Sequence, residues 1–143
     1  MIPYIIDAGV AVKWFIPEDD SATARRLLEL FHQGAAGLTA PDLLIAEATN
    51  VFWKRAGRND ITAQEAEDNL NDLLALNLPL VSSSLLAPRA LAIARAHRRS
   101  VYDCLYLALA LDRGCDLVTT DERLVNAVGA QFPQLKLLRD LQI

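Results

Sequence analysis

The run Ile2 to Ile6 is short, β-branched and aromatic and is halted by Asp7-Ala-Gly, the pattern of a buried strand. Apolar positions then move to helical spacing. Val10 to Phe15 predicts a short helix ended by Pro17. Ser21 to Gln33 sets Ala24, Leu27, Leu28 and Phe31 on one stripe before the breaker Gly34. Leu38 to Ala40 reads as a very short strand, and Pro41-Asp42 opens a helix running to about Ala56, with Gly57 as its stop. Thr62 followed by Glu65 has capping-box spacing for a helix reaching about Leu76. Leu80 to Ser82 is a third strand, and Leu85 to His97 and Val101 to Arg113 are two helices, the second closed by Gly114. Leu117 to Thr119, Glu122 to Val128 and Leu135 to Leu138 complete the chain as strand, helix and strand. Five short apolar strands separated by helices predict an α/β domain with a mostly parallel sheet.

The length, 143 residues, fits one domain spanning 1–143, and a hydrophobic content of 52% is enough for a core and excludes intrinsic disorder. Fourteen basic against eighteen acidic residues give a net charge of −4, which argues against a general coat for polyanions but not against a local nucleic-acid site. Cys104 and Cys115 allow at most one disulfide and no zinc site, so a reduced, cytoplasmic setting is expected. The N-terminus has no basic leader, and the longest apolar run, Cys104 to Leu111, is far too short to cross a bilayer.

Four acids sit where an α/β fold places ligands. Asp7 ends the first strand and Asp121 the fourth, so both side chains emerge at one edge of a parallel sheet. Glu47 lies among Leu44, Ala48 and Val51, on or near the inward stripe of its helix, where an unpaired acid loses solvation worth several kcal/mol. Asp103 opens a helix that is otherwise apolar as far as Asp112. Each has a structural alternative: Asp7 and Asp121 as helix caps, and Asp103 as part of a capping box with Ser100. Together they would repel, since two carboxylates 5 Å apart cost about 3 kcal/mol at an effective dielectric of about 20. No Lys or Arg flanks them closely. Either distant cations fold in or a hard divalent ion binds, and carboxylate oxygens suit Mg²⁺ or Mn²⁺.

Other chemistries are absent. The chain has no G-x-G-x-x-G, Walker A or G-x-S-x-G motif, and Ser82 to Ser84 has no nearby His. His32 and His97 are expected at the surface or at a helix C-terminus, and Asp42, Asp112 and Asp116 as first-turn and loop acids.

Four stretches, in this order and spacing, carry a resemblance: Ile5-Ile-Asp7-Ala-Gly-Val-Ala-Val-Lys-Trp-Phe-Ile-Pro-Glu18, Ala40-Pro-Asp-Leu-Leu-Ile-Ala-Glu47-Ala-Thr-Asn50, Val101-Tyr-Asp103-Cys-Leu-Tyr-Leu-Ala-Leu-Ala110 and Leu117-Val-Thr-Thr-Asp121-Glu-Arg-Leu124. Over essentially its whole length the chain resembles PIN-domain proteins, and specifically the VapC toxins of type II toxin–antitoxin pairs. The resemblance implies a three-layer α/β/α sandwich with a five-stranded parallel sheet in order 3-2-1-4-5. It also implies an endoribonuclease dependent on Mg²⁺ or Mn²⁺ and leaving 5′ phosphate and 3′ hydroxyl ends. Asp7, Glu47, Asp103 and Asp121 are implied as its metal-binding and catalytic acids, with Thr119 supporting them. The implied partners are an RNA substrate, a second copy of the chain and an antitoxin that blocks the acidic cleft with an inserted Arg.

One departure stands out: Gly9 occupies the place of a usual Ser, so a hydroxyl is missing there, although a backbone N–H at a helix start still suits phosphate oxygens. Lys13, Lys54, Arg55, Arg58, Arg95, Arg98 and Arg99 are candidates for phosphate contacts. Val12, Trp14, Phe15, Phe52 and Trp53 are candidates for a protein interface. A noncatalytic binding module on this fold, and a DNA-directed or structure-specific nuclease with the same acids, stay open as alternatives.

Overall fold

The computed structural model describes residues 1–143. Its elements run β1 (Ile2–Ile6), α1 (Ala8–Val12), α2 (Ser21–His32), β2 (Ala36–Pro41), α3 (Leu43–Gly57), α4 (Ala63–Ala75), β3 (Leu80–Val81), α5 (Ser83–His97), α6 (Val101–Arg113), β4 (Asp116–Thr119), α7 (Glu122–Val128) and β5 (Leu135–Leu137), with a terminal 3₁₀ turn at Leu138–Asp140. The sheet is parallel throughout in the order β3-β2-β1-β4-β5, the order that the resemblance implies. Strand order reverses between β1 and β4, which pair with Ile5 opposite Leu117 and Ile6 opposite Val118. These four residues are essentially inaccessible, as expected for central parallel strands covered on both faces.

Helix α6 crosses β1, β2 and β4 and packs along α5. Every residue from Cys104 to Ala110 is buried, and so are Leu27 of α2 and Leu44, Ala48 and Phe52 of α3. Both cysteines are buried and free, and burial raises both thiols, Cys104 to about 11, so they serve as small core residues. No helix is long and apolar enough to cross a membrane.

Local chemistry explains most boundaries. Thr62 and Glu65 form the full capping box, at 3.0 and 3.1 Å. Gly114 closes α6 in the left-handed conformation, φ 61°, that a glycine adopts without steric cost. Several boundaries differ from the expectation. α1 begins at Ala8 because Asp7 caps it, and only turns follow as far as Phe15. β2 is twice the expected length and takes in Pro41, so α3 starts at Leu43; Asp42 accepts the Ser83 N–H at 3.1 Å instead of capping α3. Ser82 caps α5, which therefore begins at Ser83.

The expected aromatic interface is corrected in most of its members. Val12, Trp14 and Phe52 belong to the core, where the Trp14 indole N–H donates to the Ala24 carbonyl at 2.9 Å and Phe15 stacks edge-on against Phe52. Trp53 alone of the five stays exposed, at 70%. This neighbouring pair is a direct check on α3. Phe52→Ala is expected to cost about 3–5 kcal/mol and Trp53→Ala less than about 0.5 kcal/mol, measured by urea denaturation.

Candidate active site

Each acid reaches the carboxyl edge of the sheet on a different element. The ladder between β1 and β4 runs on to Asp7, whose N–H donates to the Val118 carbonyl at 3.3 Å. One carboxylate oxygen of Asp7 accepts the Val10 N–H at 2.9 Å, capping α1. The other accepts the Thr119 hydroxyl and, at 3.3 Å, the Thr120 N–H. The Thr119 oxygen in turn accepts the Asp121 N–H at 3.0 Å, and Asp121 caps α7 through the Leu124 N–H at 3.1 Å. The capping role and the cleft role therefore coexist in Asp7 and Asp121. For Asp103 they do not: the Ser100 hydroxyl oxygen accepts the Asp103 N–H at 3.2 Å, while the Asp103 carboxylate lies 3.7 Å from the Arg99 guanidinium. Glu47, from α3, accepts the Tyr106 hydroxyl at 2.6 Å.

All four acids line one cavity of about 140 Å³, together with Gly9, Tyr106 and Thr119. No three acidic, histidine or cysteine side chains are drawn together as a ready-made cage for a metal ion. The physical reason is visible in their partners: each carboxylate is turned toward a protein donor that offsets some of the mutual repulsion. The donor set around the cavity nevertheless fits a hard divalent cation, because its charged ligands are all carboxylates and it offers neither sulfur nor imidazole.

Burial dominates the electrostatics. It raises Asp7 from 3.8 to about 6, against the lowering effect of hydrogen bonds from Thr119, Val10 and Thr120, and the Glu47 charge adds to the rise. Burial also raises Glu47, with the Tyr106 hydroxyl opposing and the Asp103 charge reinforcing it. Asp103 is raised by burial and then by Asp121, with Arg99 pulling the other way. The Tyr106 hydroxyl is pushed far up, first by burial and then by its bond to Glu47, so it stays protonated as a fixed donor.

Sequence reasoning missed three of these partners. Tyr106 follows Asp103 by one helical turn on α6, a spacing that puts both on one face and could have flagged it. Arg99, named above only for phosphate contact, precedes the Ser100 cap and so lies off the helix, yet it pairs with Asp103, so a flanking cation does exist. Its Nε is buried without a partner. Thr120 carries no sequence signal of its own. Among the cations expected to meet phosphate, Lys13 is buried and paired with Glu18 at 3.0 Å, and Arg55 is paired with Glu18 at 2.6 Å, so both are structural. His97 packs edge-on against Phe132, with 5.0 Å between ring centroids.

The raised Asp7 carboxyl sets the sign of a pH effect. With EDTA present, the folded chain holds the Asp7 proton more tightly than the unfolded chain, so this group favours the fold below about pH 4. That advantage disappears as pH rises through about 6. Relative to Asp7→Asn, the wild type is expected to lose up to about 3 kcal/mol over that window, measured as paired urea melts across pH.

Known proteins share this fold. The family model described as PIN domain matches residues 4–129. Ribonuclease VapC3 of Pyrobaculum aerophilum is 32% identical over 133 residues, covering 92% of this chain and 95% of that protein. Among solved structures, PAE2754 from Pyrobaculum aerophilum matches with a TM-score of 0.70 at 22% identity, covering 96% of this chain and 85% of the other. VapBC2 from Rickettsia felis, bound to a DNA fragment from its promoter, matches with a TM-score of 0.62 at 15% identity, covering 95% and 97%. Four strand-edge and helix acids in one cleft, on a parallel 3-2-1-4-5 sheet, are thus set in a chain that belongs to the PIN domain family.

Proposed function

We propose that this protein is an endoribonuclease dependent on Mg²⁺ or Mn²⁺ and acts as the toxin of a toxin–antitoxin pair. The single observation that carries the proposal is the meeting of Asp7, Glu47, Asp103 and Asp121 in one cleft. Its identity with a relative named ribonuclease VapC3 supports the choice of RNA over other phosphodiesters.

Asp7 and Asp103 would hold the ion, Glu47 would bind it directly or through water, and Asp121 would help a second ion or orient a ligand. When bound, a divalent ion would supply a more acidic water and positive charge to offset that of the phosphate. The chain's own residues prepare the cleft. Thr119 and the Thr120 N–H fix the plane of the Asp7 carboxylate, and Tyr106 does the same for Glu47. No histidine lines the cavity, and Tyr106 keeps its proton, so neither serves as general base. Arg95 and Arg98, exposed at the end of α5 that leads to Asp103, would meet backbone phosphates.

The partner is proposed to be an antitoxin, and the toxin a homodimer. An apolar groove of about 260 Å³ between α3 and α4, lined by Phe52, Trp53, Ala56, Ala63, Ala66 and Leu70, leaves Trp53 for the antitoxin to cover. Aromatics of this kind anchor interfaces. Trp53→Ala is expected to weaken a purified toxin–antitoxin complex by at least about tenfold in Kd while leaving RNA cleavage by free toxin intact; calorimetry of the pair reads this.

Cleavage of RNA is expected to vanish with EDTA and return with Mg²⁺ or Mn²⁺, while a DNA of the same sequence stays intact. Asp103→Asn removes a charged ligand and little volume. It should lower the rate at least about a hundredfold while the circular dichroism spectrum is unchanged, and it should also lose most of the Mg²⁺-induced rise in melting temperature. Full-rate cleavage by highly purified Asp7→Asn/Asp103→Asn protein would refute the proposal.

A further inference from the structure

The N-terminal turn of α1 and the segment after β4 meet at one point beside the Asp7 carboxylate. A Cβ placed on Gly9 would lie 3.3 Å from an Asp7 carboxylate oxygen and 3.3 Å from the Thr120 Cβ. It would also fall far inside van der Waals contact of the Thr120 hydroxyl oxygen. The hydroxyl of Thr120 thus occupies the space that a side chain at position 9 would enter. Gly9 lines the acidic cavity, and Thr120 lines a second cavity of about 210 Å³ that shares Thr119 with the first. Thr120 spends its N–H on Asp7, while its half-buried hydroxyl is held by no protein group.

We infer that Thr120, on the wall between the two cavities, supplies a hydroxyl beside Asp7 in the space that a side chain at position 9 would enter, donating to a phosphate oxygen of the RNA strand. The two groups compete for one space: a hydroxymethyl group at 9 fits when the Thr120 oxygen is absent or turned away. The inference rests on the nuclease proposal above.

The test is a cycle of variants in single-turnover cleavage of RNA with Mg²⁺, each variant also melted thermally. Thr120→Ala should slow cleavage about tenfold, the scale of one lost hydrogen bond to a charged group, with its melting temperature kept. Thr120→Ser should retain the wild-type rate. Gly9→Ser alone should lower the melting temperature through the clash, and Gly9→Ser/Thr120→Ala should recover both the melting temperature and the rate. Gly9→Ala/Thr120→Ala, which fills the space without a hydroxyl, should stay slow. Wild-type cleavage by Thr120→Ala, or a Gly9→Ser/Thr120→Ala protein no faster than Thr120→Ala, would overturn the inference. If wild type cleaves and Asp103→Asn does not, such a result removes only the role of Thr120. If wild type itself fails to cleave, the nuclease proposal and this inference fall together.

Discussion

Four carboxylates partly withdrawn from water at the reversal point of a parallel sheet are the constraint around which this molecule is arranged. β1 and β4 must be neighbours for Asp7 and Asp121 to meet, and α3 and α6 must pack against the sheet for Glu47 and Asp103 to join them. The unfavourable charge is contained by donors recruited from every side: the Val10 and Leu124 N–H groups, the hydroxyls of Thr119 and Tyr106, and the guanidinium of Arg99. What remains uncompensated appears as the upward displacement of Asp7, Glu47 and Asp103. On the proposed function, a cation of high charge density would answer that residue of unfavourable energy, so cation affinity and metal-free stability would be opposed here.

The Lys13–Glu18–Arg55 cluster has a place in the same scheme. Lys13 follows α1 and Arg55 lies in the last turn of α3, so Glu18 ties together the helices that follow Asp7 and carry Glu47. Single exposed ion pairs are worth little, but this lysine is buried and its carboxylate is shared, which makes the pairing a device for holding α1 against α3.

Much of this was legible in the sequence, and for definable reasons. Strands such as Ile2–Ile6 announce themselves by β-branched runs stopped at Asp7, and the Thr62/Glu65 box announces a helix start. The placement of the acids followed because strand ends and an inward helix stripe are local properties. What escaped were contacts between elements distant in the chain. That Phe52 is core and Trp53 exposed depends on which face of α3 meets the sheet and α1, and two adjacent aromatics do not say. Lys13 looked available to phosphate until Glu18 and Arg55 closed on it. The consequence of Gly9 was also out of reach. A missing hydroxyl is visible in the sequence, but the nearness of Thr120, more than a hundred positions away, arises only from the β1–β4 pairing.

The central claim, that this carboxylate cluster is a divalent-metal site, is tested most directly by anomalous diffraction from crystals soaked in Mn²⁺. The account predicts a peak inside the cleft within coordination distance of Asp7 and Asp103. A cleft without manganese, or a peak bound only elsewhere on the surface, would contradict it.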